Sequence, residues 1–161
     1  MRSKTDLLVL PPLAFSSYVP AAAPVVWAHA TDFDGINHEL MPILKMTAPA
    51  TVRGLDPERI VLGERVCRSW LLLGGVLPVD YDDITLTELE PGRRFLEQST
   101  MLSSRRWQHE RSIRPINGDS CTVTDRISLV ARVPGTGPAL RYLVRLLFAH
   151  RHRRLVRRFS V

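Results

Sequence analysis

No apolar run in these 161 residues approaches the ~20 needed to cross a bilayer, so a membrane-spanning helix is excluded. Cysteine is nearly absent. Cys67 and Cys121 are far apart and form neither a CxxC nor a Cys/His cluster, which predicts two reduced, buried thiols. The chain lacks GxGxxG and GxxxxGK[ST], and with them the loops that cradle a nucleotide's phosphates. It has five histidines but no HxxE or HxH on a strand, so no metal and no cofactor are expected. No Ser/His/Asp spacing suggests a nucleophilic triad. There is no internal repeat and no low-complexity linker.

What is present is concentrated at the carboxyl end. Between Pro138 and Val161 stand seven arginines (141, 145, 151, 153, 154, 157, 158) and no carboxylate. Interleaved are Leu140, Leu143, Val144, Leu147, Phe148, Leu155 and Phe159, which fall on one stripe of a helix. The formal charge is +6, yet without this helix the chain carries fifteen basic against sixteen acidic residues. The basicity therefore belongs to one element. A nucleic-acid partner is not expected, because half of this helix is needed for the core. Peripheral contact of this helix with an anionic membrane remains compatible with its charge.

The amino-terminal residues 1–12 read as a loose leader ending at Pro11-Pro12. Arg2, Lys4 and the run 7–15 imitate a secretory signal, but Asp6, the proline pair and Ser16-Ser17 break its apolar core, so a cytoplasmic location is expected. Residues 13–161 are expected to form one domain. Strands are predicted over 13–19, 47–53, 60–73, 84–89, 94–102, 106–115 and 121–133, with short helices at 25–31 and 36–41. Turn residues separate the strands: Asp56-Pro57, Gly74-Gly75, Pro91-Gly92, Ser103-Ser104 and Asn117-Gly118-Asp119. Connections this short favour an antiparallel meander. The segment from Gly74 to Tyr81, stiffened by Pro78, is predicted to be a loop over a cavity mouth.

In the last hairpin, strand alternation puts Trp107, His109, Arg111 and Ile113 on one face, and Val123, Asp125, Ile127 and Leu129 on another. A three-residue turn over 117–119 sets Trp107 opposite Leu129, His109 opposite Ile127, Arg111 opposite Asp125 and Ile113 opposite Val123. A two-residue turn would mix these with Gln108, Glu110 and Ser112, so the first register is preferred. Arg111 and Asp125 then either satisfy one another as a buried pair or offer Arg111's spare donors to an acidic or carbonyl-bearing ligand. Arg151 lies in the apolar stripe one turn after Leu147, and either reaches inward or is solvated beyond the sheet rim. His109 is a candidate general acid or base, or else a hydrogen-bonded core residue. Trp70, Leu72, Met101, Trp107 and Phe148 are the candidate cavity lining.

The order of elements is α+β: strand, two small helices, antiparallel strands, long terminal helix. It matches the helix-grip fold, a curved antiparallel sheet wrapped around a long C-terminal helix. On YVPAAAPVVWAHATD (18–32), GVLPVDYD (75–82), WQHERSI (107–113) and LFAHRHRRL (147–155), the chain resembles the START-like (SRPBCC) superfamily, in its polyketide cyclase/dehydrase and ligand-binding branch. That resemblance implies an internal cavity for a hydrophobic or weakly acidic small molecule, lipid or polyketide-like. An aromatase/cyclase-like enzyme acting on a poly-carbonyl substrate is the alternative. Trp70, Leu72, Met101, Trp107, His109, Arg111, Asp125, Phe148 and Arg151 are the expected ligand contacts.

Overall fold

The computed structural model describes residues 11–161, so nearly all of the expected leader lies outside the described residues. The elements run β1 (Leu13–Val19), α1 (Ala23–Ala30), α2 (Phe33–Leu40), β2 (Leu44–Met46), β3 (Arg65–Leu73), β4 (Leu77–Glu90), β5 (Arg94–Met101), β6 (Ser104–Asn117), β7 (Ser120–Ala131) and α3 (Gly137–Phe159). Consecutive strands β2 to β7 pair antiparallel, and β1 closes the sheet against β7, giving the order β1-β7-β6-β5-β4-β3-β2. The sheet curls and α3 lies in its concave side. This is the expected helix-grip architecture.

The helices begin and end where their chemistry dictates. Pro24 opens α1, where a missing N–H costs nothing. Asp32 caps α2 by accepting from the Asp34 N–H at 2.8 Å. Gly35 permits the two helices to pack at close quarters, since a Cβ there would lie 1.9 Å from the His29 carbonyl oxygen. The core clusters of the inner face follow from alternation. Val19, Ile113, Cys121 and Val123 pack on Leu155, and Leu13, Trp107 and Ile127 pack on Val144 and Phe148. Cys67 and Cys121 are both free and buried.

The β6–β7 register is as expected: Trp107 faces Leu129, His109 faces Ile127, Arg111 faces Asp125 and Ile113 faces Val123. The turn reaches it differently. Asn117 pairs with Ser120 across a two-residue loop, and an irregularity between Pro115 and Asn117 takes up the extra residue.

Three expectations are corrected. Residues 47–53 form no strand. The ladder stops after Met46, whose N–H and C=O are both taken by the Asn37 side chain, and Val52 turns back onto the Pro49 carbonyl. Ile60 and Glu64 turn back onto the Asp56 and Val61 carbonyls and Gly63 alone reaches β4, at the Leu86 carbonyl, so β3 starts at Arg65. The supposed lid is strand: only Gly74 to Val76 lie between β3 and β4, with positive φ at Gly74 and Gly75. Pro78 is accommodated opposite Leu72 because the register shifts there, which relieves its missing N–H.

Candidate functional site

Inside the curl, buried charged side chains from five elements meet. Arg111 of β6 is fully buried. It grips Asp125 of β7 through Nε and Nη2 at 2.8 and 2.7 Å. Its other edge reaches Glu39 at the end of α2, at 2.8 and 3.0 Å. Arg151 of α3 donates to the same Glu39 from Nε at 3.1 Å, while its guanidinium sits 4.9 Å from the centre of the Phe148 ring. Asp125 also accepts from His109 Nε2 at 2.7 Å and His152 Nε2 at 2.8 Å. Four donors thus fill the four lone-pair positions of that carboxylate. His152 is held in turn by Ser17 of β1 at 2.7 Å.

Burial alone would push the Asp125 and Glu39 carboxyls up. The Arg111 guanidinium outweighs it, holding Asp125 well below the usual carboxylate range, and Glu39 is lowered by Arg111 and Arg151 together. Burial likewise opposes a charged His109, but Asp125 and Glu97 raise it overall. Three basic side chains (Arg111, Arg151, His109) therefore face three carboxyl groups (Asp125, Glu39, Glu97) in one buried cluster.

Beside this cluster lies a cavity of about 600 Å³. Its walls are mostly apolar and include Phe33, Leu71, Ile84, Phe95, Trp107 and Phe148. Ile43, Leu73, Val79, Leu143 and Leu146 line it and are also solvent-exposed, which places the mouth between the segment after α2, the β3–β4 hairpin and the first half of α3. The polar part of the wall comprises Asp80, Asp82, Glu97, Ser103, Ser104, His109 and Arg151.

Of the residues singled out in the sequence, Met101, Trp107, His109, Phe148 and Arg151 line this cavity. Arg111 and Asp125 do not; they sit behind the wall, bound to each other and to Glu39, His109 and His152. Trp70 and Leu72 do not line it either. Trp70 is on the outer side of the sheet, packed edge-on against Tyr81, whose other neighbour is Arg68 at 4.1 Å. The inner positions of β3 are Cys67, Ser69 and Leu71. Arg68, two residues before Trp70, marks that side as wet and was the signal available. Glu39, Asp82, Glu97 and His152 were missed. Glu39 flanks the apolar stripe of Phe33, Ile36 and Leu40, which the expected helix over 36–41 cut short by leaving out Phe33, and the Asp-rich stretch 80–83 disguised a strand as a loop. Among the described residues no group of His, Cys, Asp and Glu is arranged to hold a metal ion. No described helix is long and apolar enough to cross a membrane.

Three solved structures share this architecture. A START superfamily protein from Mycobacterium smegmatis is 14% identical, with a TM-score of 0.66 over 93% of this chain and 97% of its own. A protein from Chromobacterium violaceum is 12% identical, with a TM-score of 0.67 over 94% and 99% of the two chains. The Zhui aromatase/cyclase from Streptomyces sp. R1128 is 12% identical, with a TM-score of 0.64 over 90% of each. At such identities the likeness establishes the fold, which is START-like, and not an activity. No curated protein matches the sequence. Residues 17–159 match the family described as "Domain of unknown function (DUF8410)", and the chain belongs to that family.

Proposed function

We propose that this protein binds a hydrophobic small molecule, lipid-like or polyketide-like, in the cavity between α3 and the sheet. The observation that carries this reading is an apolar chamber of about 600 Å³, within the range of ligand pockets, with an apolar rim and a few polar groups on one wall. The arginines that would have favoured an acidic ligand are engaged: Arg111 and Arg151 are held by Asp125 and Glu39. The favoured ligand is therefore neutral. A neutral dye such as Nile red tests it. Its fluorescence rises on binding to the wild type, and Met101→Trp, which fills the chamber, abolishes the rise while the fold is kept. Binding undiminished by Met101→Trp places the dye elsewhere and defeats the reading.

A second reading, an aromatase/cyclase-like enzyme, is favoured by His109. This buried imidazole is on the cavity wall with Nε2 tied to Asp125 and Nδ1 3.7 Å from Glu97 Oε2, neighbours that favour its protonation. Such a group can polarise or protonate a substrate carbonyl held in the chamber. The Zhui aromatase/cyclase, which has the same fold, is the relevant comparison. Equal turnover of a poly-carbonyl substrate by the wild type and His109→Ala would remove this reading.

A further inference from the structure

In an antiparallel meander alternate turns lie at the same end. The β3–β4 hairpin, the β5–β6 turn and the exit from β7 into α3 therefore share one end of the sheet, and the pairing of Leu44 with Leu73 brings the segment after α2 there too. Arg132 fastens two of these segments by donating to the Leu102 and Met101 carbonyls at 3.0 and 2.7 Å. Of the seventeen large apolar side chains exposed among the described residues, ten stand at this end, around the cavity mouth. Val76 and Leu77 tip the hairpin at 81% and 56% exposure. Leu102 and Val133 sit on the two neighbouring links, and Tyr142, Leu143 and Leu146 project from the first turns of α3. Apolar side chains scattered singly over a surface need no explanation, but a ring of them around an opening marks a contact surface.

The charges at this end have one sign. Residues 41–45, 71–79, 101–107 and 130–150, which build it, contain Lys45, Arg105, Arg106, Arg132, Arg141 and Arg145 and no carboxylate. The first carboxylate reached is Asp80, which lines the cavity and is held by the Ser103 hydroxyl. The opposite end of the sheet instead mixes Glu90 and Asp119 with Arg93 and Arg114 at its turns. Apolar side chains inside a fringe of cations match the layering of an anionic bilayer, acyl chains beneath phosphates. Long basic side chains reach up to the phosphates while their stems lie in the apolar layer, and Tyr142 suits the boundary between the two. The contour also favours lipid over a protein. The exposed groups rise from five separate segments around an opening, which fluid chains can follow and a rigid face would leave gapped.

We propose that the protein docks mouth-first on an anionic lipid surface, with the apolar ring inserted and Lys45, Arg132 and Arg145 at the headgroups. The contact does not belong to the arginine-rich C-terminal half of α3. There Arg151 and Arg154 are engaged by Glu39 and the His38 carbonyl. Arg153, Arg157 and Arg158 are exposed, but from Leu147 to Phe159 no large apolar side chain is, so that half offers charge without anything to insert. Docked by its mouth, the cavity opens into lipid, and an apolar guest passes between the two without crossing water. The docking stands on the rim alone and holds whatever the cavity takes.

Co-flotation of the full chain with vesicles tests it. Vesicles of phosphatidylcholine containing about one-third phosphatidylglycerol bind the wild type, and phosphatidylcholine alone binds it at least ten-fold more weakly, on the order of two lost cation contacts. Arg145→Ala weakens binding to the anionic vesicles roughly five-fold, the share of one basic side chain near the surface. Val76→Asp and Tyr142→Asp each abolish it, whereas Ile116→Asp, an equally exposed apolar site at the other end, keeps it. Val76 and Tyr142 do not line the cavity, so Nile red binding without vesicles stays at the wild-type level in both variants. That keeps the two readings apart, since docking can fail while the cavity still fills, and the reverse. Binding lost in an Arg153→Ala, Arg157→Ala double variant but kept in Val76→Asp moves the contact to the other half of α3 and overturns the proposal. Equal binding to both kinds of vesicle, or none by the folded protein, overturns it as well. So does a dimer in lipid-free buffer that Val76→Asp dissolves, because the ring would then be filled by a second copy.

Discussion

Replacing Glu39 by alanine removes the anion that holds two arginines at once. Glu39 is 0% exposed and accepts from Arg111 at 2.8 and 3.0 Å and from Arg151 Nε at 3.1 Å. After the change Arg111 keeps Asp125, but Arg151, 7% exposed, is left as a buried charge without a hydrogen-bonded anion. Breaking a buried pair on one side costs about 3–5 kcal/mol. At ~2–4 °C per kcal/mol for a chain of this size, Tm falls by roughly 10 °C. Urea unfolding followed by fluorescence of the three tryptophans measures it, with the midpoint lowered and the slope unchanged. Glu110→Ala is the control. It loses a partly exposed bridge to Arg94 at 2.9 Å, where about 0–1 kcal/mol is expected. A Glu39→Ala cost no larger than the control's would mean that water reaches the arginines and that the cluster is not closed.

The pH profile of stability has two limbs. Glu39 and Asp125 are lowered from 4.5 and 3.8, so their contribution is present above those values and is lost as pH falls through the native ones. His109 is raised from 6.5, so its contribution is complete below 6.5 and is lost as pH rises through its native value. Urea midpoints should therefore decline on both sides, and a profile flat across the neutral to alkaline range would remove the charged His109. Phe148→Ala, at a site 1% exposed and ringed by Phe15, Trp107 and His109, should cost about 3–5 kcal/mol in the same unfolding assay. Trp70→Ala should leave Nile red binding unchanged, because that ring is on the outer side against Tyr81. Gly35→Ala must displace backbone to clear the His29 carbonyl and should cost ~1–3 kcal/mol, read as a lowered urea midpoint.

The last hairpin was legible because one face of each strand is consistently apolar and a slip by one residue would invert it. That pattern places Arg111 against Asp125, as the structure has it. It could not reveal that Glu39, seventy-two positions away, completes the pair, because periodicity within α2 turns Glu39 inward without saying which distant strand it meets. Pattern also failed at β3 and β4. There a tryptophan on the outer face and three aspartates within a strand run against the usual preferences. The aspartate at position 82 lines the cavity, so composition was most misleading near the site.

The two ends of α3 are held by unlike forces. Its C-terminal half is clamped by Arg151 to Glu39, His152 to Asp125, Arg154 to the His38 carbonyl, and by buried Leu155. Its N-terminal half leans on Leu140 and Val144 and leaves Tyr142, Leu143 and Leu146 in solvent beside the opening. The first turns can therefore fray or tilt while the ionic latch stays shut, so a guest could be admitted or released at the cost of local opening alone.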